Sequence, residues 1–424
     1  MPRLMGGKQL TRRTFCTAAT GAALLGAAGC GGDTTASGDG RLVLTFWHGF
    51  TEADGKTIAA IVREFNASHP HIRIDVQVNP WDVITSKLLP AVAAKAGPDI
   101  VAQPTTSAAK YIKVGAFRPL DDFYRRADAR RYLPNAVRAS TVEGRRYGAP
   151  LAFAANTLFY NKKLFARHGI DGPPDTWDAW VRVARRLTVG DGTPRQYGLS
   201  LSSHGPSANT LWTGMLHAGG GRAVHDGRMT IDSRANRRTL GYWQDAVARH
   251  RVSPKDLGDA ASLDLFTAQK AAMVVGGPFL TLIAKRAGID YGISAVPAGP
   301  ASAAAGANVL AMYLTSQADR RKTAAIHEFF TFFNSKQQQL VWSRASGWPP
   351  NRTDIPPSAI RGNPDVAAIA RCGPHAVTDF EGVENYTELA TELDTVTQKT
   401  ISGQDVASVL AQAQSRMQRK LDLS

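Results

Sequence analysis

The chain has 424 residues, of which 43% are hydrophobic and 20% are charged, an ordinary composition for a globular protein with two or three packed domains. Its formal net charge is +15, but the 50 basic residues are scattered among 35 acidic ones without a basic run. No nucleic-acid-binding motif accompanies this charge. The composition therefore argues against a nucleic-acid partner.

The first 29 residues have the pattern of an export signal. A basic start containing Arg12 and Arg13 precedes a weakly apolar stretch over residues 17–28, which is too short to span a bilayer. The segment TRRTF at residues 11–15 resembles a twin-arginine signal. We therefore expect residues 1–29 to be a signal peptide of the twin-arginine type.

A lipid-attachment motif follows the signal. Ala27-Ala28-Gly29-Cys30 resembles a lipobox, with Ala27 where leucine is usual, and predicts acylation of Cys30. Residues 30–40 are rich in Gly, Thr and Asp and are expected to form a flexible tether to the outer face of the cytoplasmic membrane. Removing the signal lowers the formal charge to about +11 and leaves Cys372 without an internal disulfide partner.

The first elements after the tether alternate between strands and helices. They are a strand over 42–46, an amphipathic helix with apolar residues at i, i+3, i+4 and i+7 from Ile58, an alternating strand over 72–78, a helix over 81–94 and a strand over 98–102. Thr51 and Asp54 predict a capping box at the start of the first helix. This order is typical of a parallel doubly wound sheet, an α/β fold.

The second half of the chain repeats the alternation. Its predicted elements are a strand over 157–160, helices over 177–187, 210–218 and 234–250, strands over 271–275 and 291–296, and a final helix with Val406, Leu410, Ala413 and Met417 on one stripe. Residues 297–306 are rich in Ala, Gly and Pro, which indicates a crossing between lobes.

Polar and aromatic side chains follow the predicted strands of the first sheet. Ligands of such sheets bind beyond the carboxyl ends of the strands. The residues at those ends are Trp47, His48, Trp81, Asp82 and Gln103. Aromatic and amide groups therefore collect where a ligand is expected.

Seven segments carry a resemblance to a known family. They are LTFWHGFTEADGKTIAAIVREFNASHP, GPDIVAQ, GAFRPLDDF, EGRRYGAPLAFAANTLFYNKKLFARHGI, GGPF, DYGISAVP and SGWPPN. In order and spacing they resemble the family 1 extracellular solute-binding proteins, which include maltose- and glycerol-3-phosphate-binding proteins. The resemblance runs from about Leu42 to the C-terminus.

The resemblance implies a two-lobed periplasmic-binding-protein fold of type II, which closes on its ligand like a hinged clamp. Its three crossings are expected near residues 150–153, 297–299 and 348–352. The first lobe then comprises 41–151 plus 298–346, and the second comprises 152–297 plus 347–424. The implied function is that of a monomeric receptor that delivers a sugar to the permease subunits of an ABC importer.

A sugar receptor needs aromatic rings for the CH-rich face of a sugar and polar groups for its hydroxyls. The aromatic residues that the family pattern places at the cleft are Trp47, Trp81, Phe153, Trp212, Phe279 and Trp348. The remaining candidates are His48, Asp82, Gln103, Asn156, Gly277, Asn308, Arg352 and Glu384. Asp82 has a second interpretation as a helix cap.

Two features narrow the ligand. Glycerol-3-phosphate-binding relatives carry an arginine where this chain has Glu384, and a carboxylate there repels a phosphate dianion. This favours a neutral or amino sugar. His48 has no second histidine or carboxylate at metal-ligand spacing, so neither a metal nor another cofactor is expected.

Three alternatives remain open at this stage. The first is a glycerol-phosphate-type or other polyol ligand in the same fold. The second is a sensory receptor that reports a ligand to a membrane kinase. The third is a secreted carbohydrate hydrolase, which would be an enzyme; the chain lacks nucleophile-elbow, zinc-protease and phosphate-loop motifs, although paired glycosidase carboxylates are assembled only by folding.

Overall fold

The computed structural model describes residues 40–126, 129–190 and 193–423, so the predicted signal peptide, Cys30 and nearly all of the tether lie outside the described residues. The strands of the described chain are β1 Leu42–His48, β2 Ile72–Val78, β3 Ile100–Pro104, β4 Thr141–Val142, β5 Arg145–Arg146, β6 Gly148–Ala155, β7 Thr157–Asn161, β8 Val224–His225, β9 Arg228–Met229, β10 Met273–Gly276, β11 Tyr291–Ala295, β12 Ala305–Leu314 and β13 Ala376–Val377.

The helices are α1 Ala53–Ser68, α2 Trp81–Ala93, α3 Ala108–Lys113, α4 Asp121–Arg126, α5 Pro134–Ala139, α6 Lys162–Arg167, α7 Trp177–Leu187, α8 Pro206–Ala218, α9 Arg234–Ala248, α10 Asp259–Thr267, α11 Phe279–Arg286, α12 Arg320–Phe333, α13 Lys336–Ser346, α14 Pro364–Arg371, α15 Tyr386–Ile401 and α16 Val406–Leu421.

The first lobe is built on a mixed sheet. β1 pairs in parallel with β2 and β3, as the alternating pattern predicts. β12 then pairs antiparallel with β3 and with β6, and the short β13 pairs in parallel with the start of β12. The prediction of a wholly parallel sheet is therefore wrong. The antiparallel strands come from distant parts of the chain, where a local pattern does not reveal the pairing partner.

Helix α1 covers one face of this sheet. Its apolar stripe, which includes Ile58, Ile61 and Phe65, is buried in the same core as Phe329 and Trp342. The predicted capping box is wrong, because the helix begins at Ala53 and its start carries no side-chain cap. The Asp54 carboxylate instead accepts a hydrogen bond of 2.8 Å from the Gly55 N–H. Apolar burial holds the helix in place without a cap.

The second lobe has a smaller sheet in which β7 lies between β10 and β11 and is antiparallel to both. Its main core is rich in tryptophan: Trp180, Trp212 and Trp243 are all fully buried. The Trp180 and Trp243 rings meet edge to face at 5.0 Å, a favoured geometry for aromatic pairs. These rings are part of the folding core of the lobe.

Two long strands connect the lobes. β6 pairs with β12 along its whole length, so that Leu151 lies in the first core and Ala155 in the second. In β12 the order is reversed: Ala305 lies in the second core and Met312 in the first. The two strands therefore pass from one core to the other side by side, and the exact positions of the first two crossings stay predictions.

The chain between α13 and α15 contacts both lobes. Trp348 is buried in the first core, and the Asn351 side-chain amide donates a hydrogen bond of 2.7 Å to the Leu151 carbonyl, which lies in the first predicted crossing. In α14, Asp365 accepts a hydrogen bond of 2.7 Å from the Tyr291 hydroxyl of the second lobe, whereas Ile369 belongs to the first core. The third crossing near 348–352 stays a prediction.

Candidate functional site

A cavity of about 180 Å³ lies between the lobes at the carboxyl end of β3. Its first-lobe wall consists of residues 104–106 and 307–310. Its second-lobe wall consists of side chains from the first half of α8, residues 377–380 and Tyr386. We call this space the cleft cavity. Its position, beyond strand ends and between two lobes, is typical of ligand sites in α/β proteins.

Gln103, the penultimate residue of β3, directly precedes the lining residues 104–106 but does not itself line the cleft cavity. Its side chain is buried, and its Oε1 accepts a hydrogen bond of 3.3 Å from the Ser107 hydroxyl. Its Nε2 has no hydrogen-bond partner. A buried donor without a partner is costly, so Gln103 keeps an unused donor next to the lining.

His48 ends β1 but faces the other side of the sheet from Gln103. Its Nδ1 accepts a hydrogen bond of 3.2 Å from the Phe50 N–H, which places the ring proton on Nε2, and Nε2 has no partner. Burial lowers the pKa of His48 to about 4. The ring is therefore neutral at physiological pH, and it packs against Phe46 at 5.4 Å.

The predicted aromatic residues of the first lobe occupy different environments. Trp81 lies directly over the backbone of Gly49, where an added Cβ would meet its ring at 2.3 Å, and packs edge to face on Phe50 at 5.1 Å. Trp47 is half-buried against α2. Trp348 is buried and forms a hydrogen bond to Asp54. Burial raises the pKa of the Asp54 carboxyl despite this bond.

Four predicted residues meet where the lobes join. The Asn308 side-chain amide donates a hydrogen bond of 2.8 Å to the Asn156 side-chain oxygen. A Cβ added to Gly277 would lie 3.0 Å from Asn308 Nδ2 and 3.1 Å from the Phe279 ring, so glycine permits this close approach. Phe279 itself is 38% exposed. Asn308 also lines the cleft cavity and thus links it to the Gly277–Phe279 turn.

Three other predicted residues do not reach the cleft cavity. Trp212 is fully buried and its indole N–H donates to the Ser202 carbonyl at 2.9 Å, so its prediction as a sugar contact is wrong. Phe153 packs in a small apolar cluster with Val309. Arg352 binds Asp354 through two nitrogens at 2.7 and 2.8 Å, which lowers the pKa of that carboxyl to about 2.

Charged candidates at the rim take part in other contacts. Asp82 is exposed in the first turn of α2, and no side-chain cap bond holds the start of that helix. Glu384 forms an ion pair of 2.5 Å with Lys113 of the first lobe. A second pair joins Glu52 to Arg286 of the second lobe, with 3.1 Å between Oε1 and an arginine nitrogen. These two ion pairs bridge the lobes.

Sequence reasoning missed most of the second-lobe wall. The missed side chains are Asn209, Thr210, Thr213, Thr378, Asp379 and Tyr386. The Tyr386 hydroxyl hydrogen-bonds to Thr106 of the opposite lobe. Their one local signal is the polar start of α8, where Ser207, Asn209 and Thr210 precede an apolar helix. Nothing local connects that start with residues 377–386.

The polar groups in the lining of the cleft cavity are mainly hydroxyls and amides, and they lie among apolar side chains. Asp379 is the one charged side chain in the lining over the part of the chain that the structure describes. Its carboxylate already accepts hydrogen bonds from His217 at 2.9 Å and from the Ala223 N–H at 3.0 Å. The cavity is therefore suited to a neutral, hydroxyl-rich ligand.

Comparison with known proteins identifies the family. The family model for bacterial extracellular solute-binding proteins matches residues 49–340, more than half of the chain. The chain belongs to this family. Members are binding proteins, and the solute-binding fold accounts for the two lobes and the cavity between them. No helix among residues 40–126, 129–190 and 193–423 is long and apolar enough to cross a membrane.

Relatives of this solute-binding protein include proteins named for the solute that they bind. The diacetylchitobiose-binding protein DasA of Streptomyces coelicolor is 24% identical over 81% of this chain and 82% of its own. A putative binding protein of Brucella abortus is 24% identical over 77% of this chain and 80% of its own. The glycerol-3-phosphate-binding protein UgpB of Brucella melitensis is 24% identical over 72% of this chain and 74% of its own.

Solved structures share the fold. A solute-binding protein of Thermotoga lettingae bound to α-D-tagatose has a TM-score of 0.77 and 23% identity, covering 89% of this chain and 99% of its own. UgpB of Mycobacterium tuberculosis bound to glycerophosphocholine has a TM-score of 0.81 and 18% identity, covering 91% of this chain and 99% of its own.

The described residues contain no cluster of three side chains suited to a metal ion.

Proposed function

We propose that this solute-binding protein captures an uncharged sugar between its lobes and delivers it to the membrane subunits of an ABC importer. The observation that carries the proposal is the set of polar groups in the lining of the cleft cavity: amides, hydroxyls and a single carboxylate that is already hydrogen-bonded, placed among apolar side chains such as Val309 and Phe380. The ligands of related proteins, among them tagatose and diacetylchitobiose, support the same class.

The same lining argues against a phosphate-bearing ligand. Phosphate recognition relies on arginine, lysine or a helix N-terminus. The lining contains no lysine or arginine over the described residues, and the start of α8 is occupied by the Asp259 carboxylate, which accepts the Ser207 and Ala208 N–H groups at 2.7 and 3.0 Å. A phosphate would meet that negative charge.

The mechanism that we propose is closure of the lobes on the sugar. Three contacts join the lobes around the cleft: Tyr386 with Thr106, Lys113 with Glu384, and Glu52 with Arg286. A ligand that bonds to both walls binds the closed state better than the open one, and this difference in affinity shifts the population. The closed complex is then the form that the permease subunits recognise.

Export and anchoring belong to the same proposal. The segment TRRTF directs export, Cys30 receives the lipid, and the binding body works as a monomer at the membrane surface. A Cys30→Ser chain expressed in the native host should move from the membrane fraction to the medium. Retention of the Cys30→Ser chain in the membrane fraction would rule out this anchor.

A thermal-shift panel tests the proposed ligand class. Tagatose, maltotriose, diacetylchitobiose and glycerol 3-phosphate are added separately to the full chain. A sugar that binds the native state raises Tm with concentration, whereas glycerol 3-phosphate should have no effect. A shift with glycerol 3-phosphate alone would refute the neutral-sugar assignment. Mass spectrometry of the recovered sugar is the check against hydrolysis, and the intact sugar is expected.

A further inference from the structure

The side-chain amide of Asn209 is held in one orientation. Asn209 lies in the first turn of α8 and lines the cleft cavity. Its Nδ2 donates to Asp394 Oδ1 at 2.7 Å and to the Gly205 carbonyl at 3.3 Å. Both acceptors require the NH₂ end of the amide, so the hydrogen-bond network fixes the oxygen on the other side.

That oxygen, Asn209 Oδ1, has no hydrogen-bond partner although the residue is only 7% exposed. An acceptor buried without a donor costs free energy, and a ligand hydroxyl is the donor that this site can receive. The first lobe also holds an unpaired donor, Gln103 Nε2, next to the lining residues 104–106.

The partner carboxylate, Asp394 of α15, is sensitive to pH. Burial, and to a smaller extent the charge of Asp259, raise its pKa, whereas a hydrogen bond from the Gly205 N–H and the charge of His204 lower it. The net result is a pKa of about 6. The other titratable groups around it are Tyr386, whose pKa is raised by burial and by Asp394, and Asp256, which lies 3.7 Å from His204.

We propose that Asp394 is a positioning residue of the sugar site, which holds the Asn209 amide so that Oδ1 accepts a hydrogen bond from a sugar hydroxyl. The assignment rests on the proposed function of the cleft. When Asp394 gains a proton, it accepts less strongly from Asn209 Nδ2, and the longer bond of 3.3 Å to the Gly205 carbonyl is then the main contact that holds the NH₂ end. The Oδ1 atom is then no longer fixed in one orientation, and sugar affinity falls on acidification.

Calorimetry at two pH values tests this role, with tagatose, maltotriose and diacetylchitobiose as probes. The Kd of the unmodified chain should rise by up to about fourfold between pH 7.5 and pH 5.5, which is the limit for one group with a pKa of about 6. Asp394→Asn places a permanent NH₂ donor beside Asn209 and should show the weaker Kd at both pH values. Asn209→Leu should be weaker still and also independent of pH. Asp226→Asn, an exposed turn residue of the second lobe, is the matched control.

A readout that needs no sugar separates this proposal from the proposed function. The side-chain amide protons of Asn209, identified in ¹⁵N spectra by their loss in Asn209→Leu, should titrate with a midpoint near pH 6 and become flat in Asp394→Asn. If the Asn209 amide protons titrate but no sugar probe binds, the proposed sugar function is refuted and the coupling between Asp394 and Asn209 stands. Flat amide resonances from pH 4.5 to 8, or an Asp394→Asn chain that keeps the pH dependence of Kd, overturn the positioning role.

Discussion

The first lobe forms its side of the cleft from the carboxyl end of β3 and the first half of β12, whereas the second lobe uses the start of α8 and a segment much later in the chain, residues 377–386. In the first lobe, β3 and β12 are paired antiparallel, so the end of one strand and the start of the other lie at one edge of the sheet. In the second lobe, long-range packing brings together segments with no backbone pairing between them. A strand end is therefore visible in the sequence, and the second wall is not.

The lobes also differ in the use of tryptophan. The largest effect expected is on stability: Trp212→Ala in the second-lobe core should lower the free energy of unfolding by about 3–5 kcal/mol, because a fully buried ring leaves a cavity. Urea unfolding measures it. Trp81→Ala, at the half-buried first-lobe surface, is the matched variant and should lose less stability. An unchanged free energy of unfolding in Trp212→Ala would contradict its role in the core and would favour a ligand contact instead.

Acid should act on the lobes in opposite directions. Burial lowers the pKa of His48 and, together with Arg126 and Arg118, that of His327 to about 4 in the first lobe. Since unfolded histidine titrates near 6.5, the unfolded state binds more protons between pH 6.5 and 4, and first-lobe stability falls as pH drops through that window. The loss is roughly 1–2 kcal/mol per histidine at pH 5.

Asp394 in the second lobe has the opposite sign. Its pKa is raised to about 6, above the unfolded value near 3.8, so the folded state binds the proton first and stability rises as pH falls between 6 and 3.8. Hydrogen exchange followed by mass spectrometry at pH 7 and pH 5, corrected for intrinsic rates, should show earlier loss of protection in the first lobe. His48→Gln should reduce that loss. Earlier loss in the second lobe contradicts these assignments.

The unpaired amide of Gln103 tests whether the first wall binds ligand. Gln103→Leu should weaken sugar affinity about tenfold, since it removes a hydrogen-bond donor. It should leave stability equal or slightly higher, because a buried unpaired group is also removed. Ser107→Ala, which removes only the neighbouring hydroxyl contact, is the control for calorimetry. If Gln103→Leu and the unmodified chain bind the sugar with equal affinity, Gln103 Nε2 is excluded as a sugar contact.

The smallest effects are expected at the two ion pairs between the lobes. Arg286→Gln and Lys113→Gln should each raise Kd by up to about threefold, because exposed ion pairs contribute little and neither residue lines the cleft cavity. The effect should shrink in 0.5 M salt. Glu52→Gln combined with Arg286→Gln should be no weaker than either alone. Additive losses would mean that the pair does not act across the cleft.

The sequence predicts the local elements well and the assembly less well. β2 and α7 have their predicted bounds, because each carries a strong pattern of period 2 or 3.6. The mixed sheet was missed, since it depends on the pairing of β12 with β3 and β6. Trp212 was expected at the cleft from the family pattern, and its burial in the second-lobe core likewise depends on packing between distant segments.

A crystal structure with the sugar that gives the largest Tm shift in the panel tests the central claim most directly. We predict closed lobes, with one sugar hydroxyl accepting from Gln103 Nε2 and another donating to Asn209 Oδ1. A sugar bound in the separate groove beside Trp177 and Tyr242, with the cleft cavity unchanged, would contradict it.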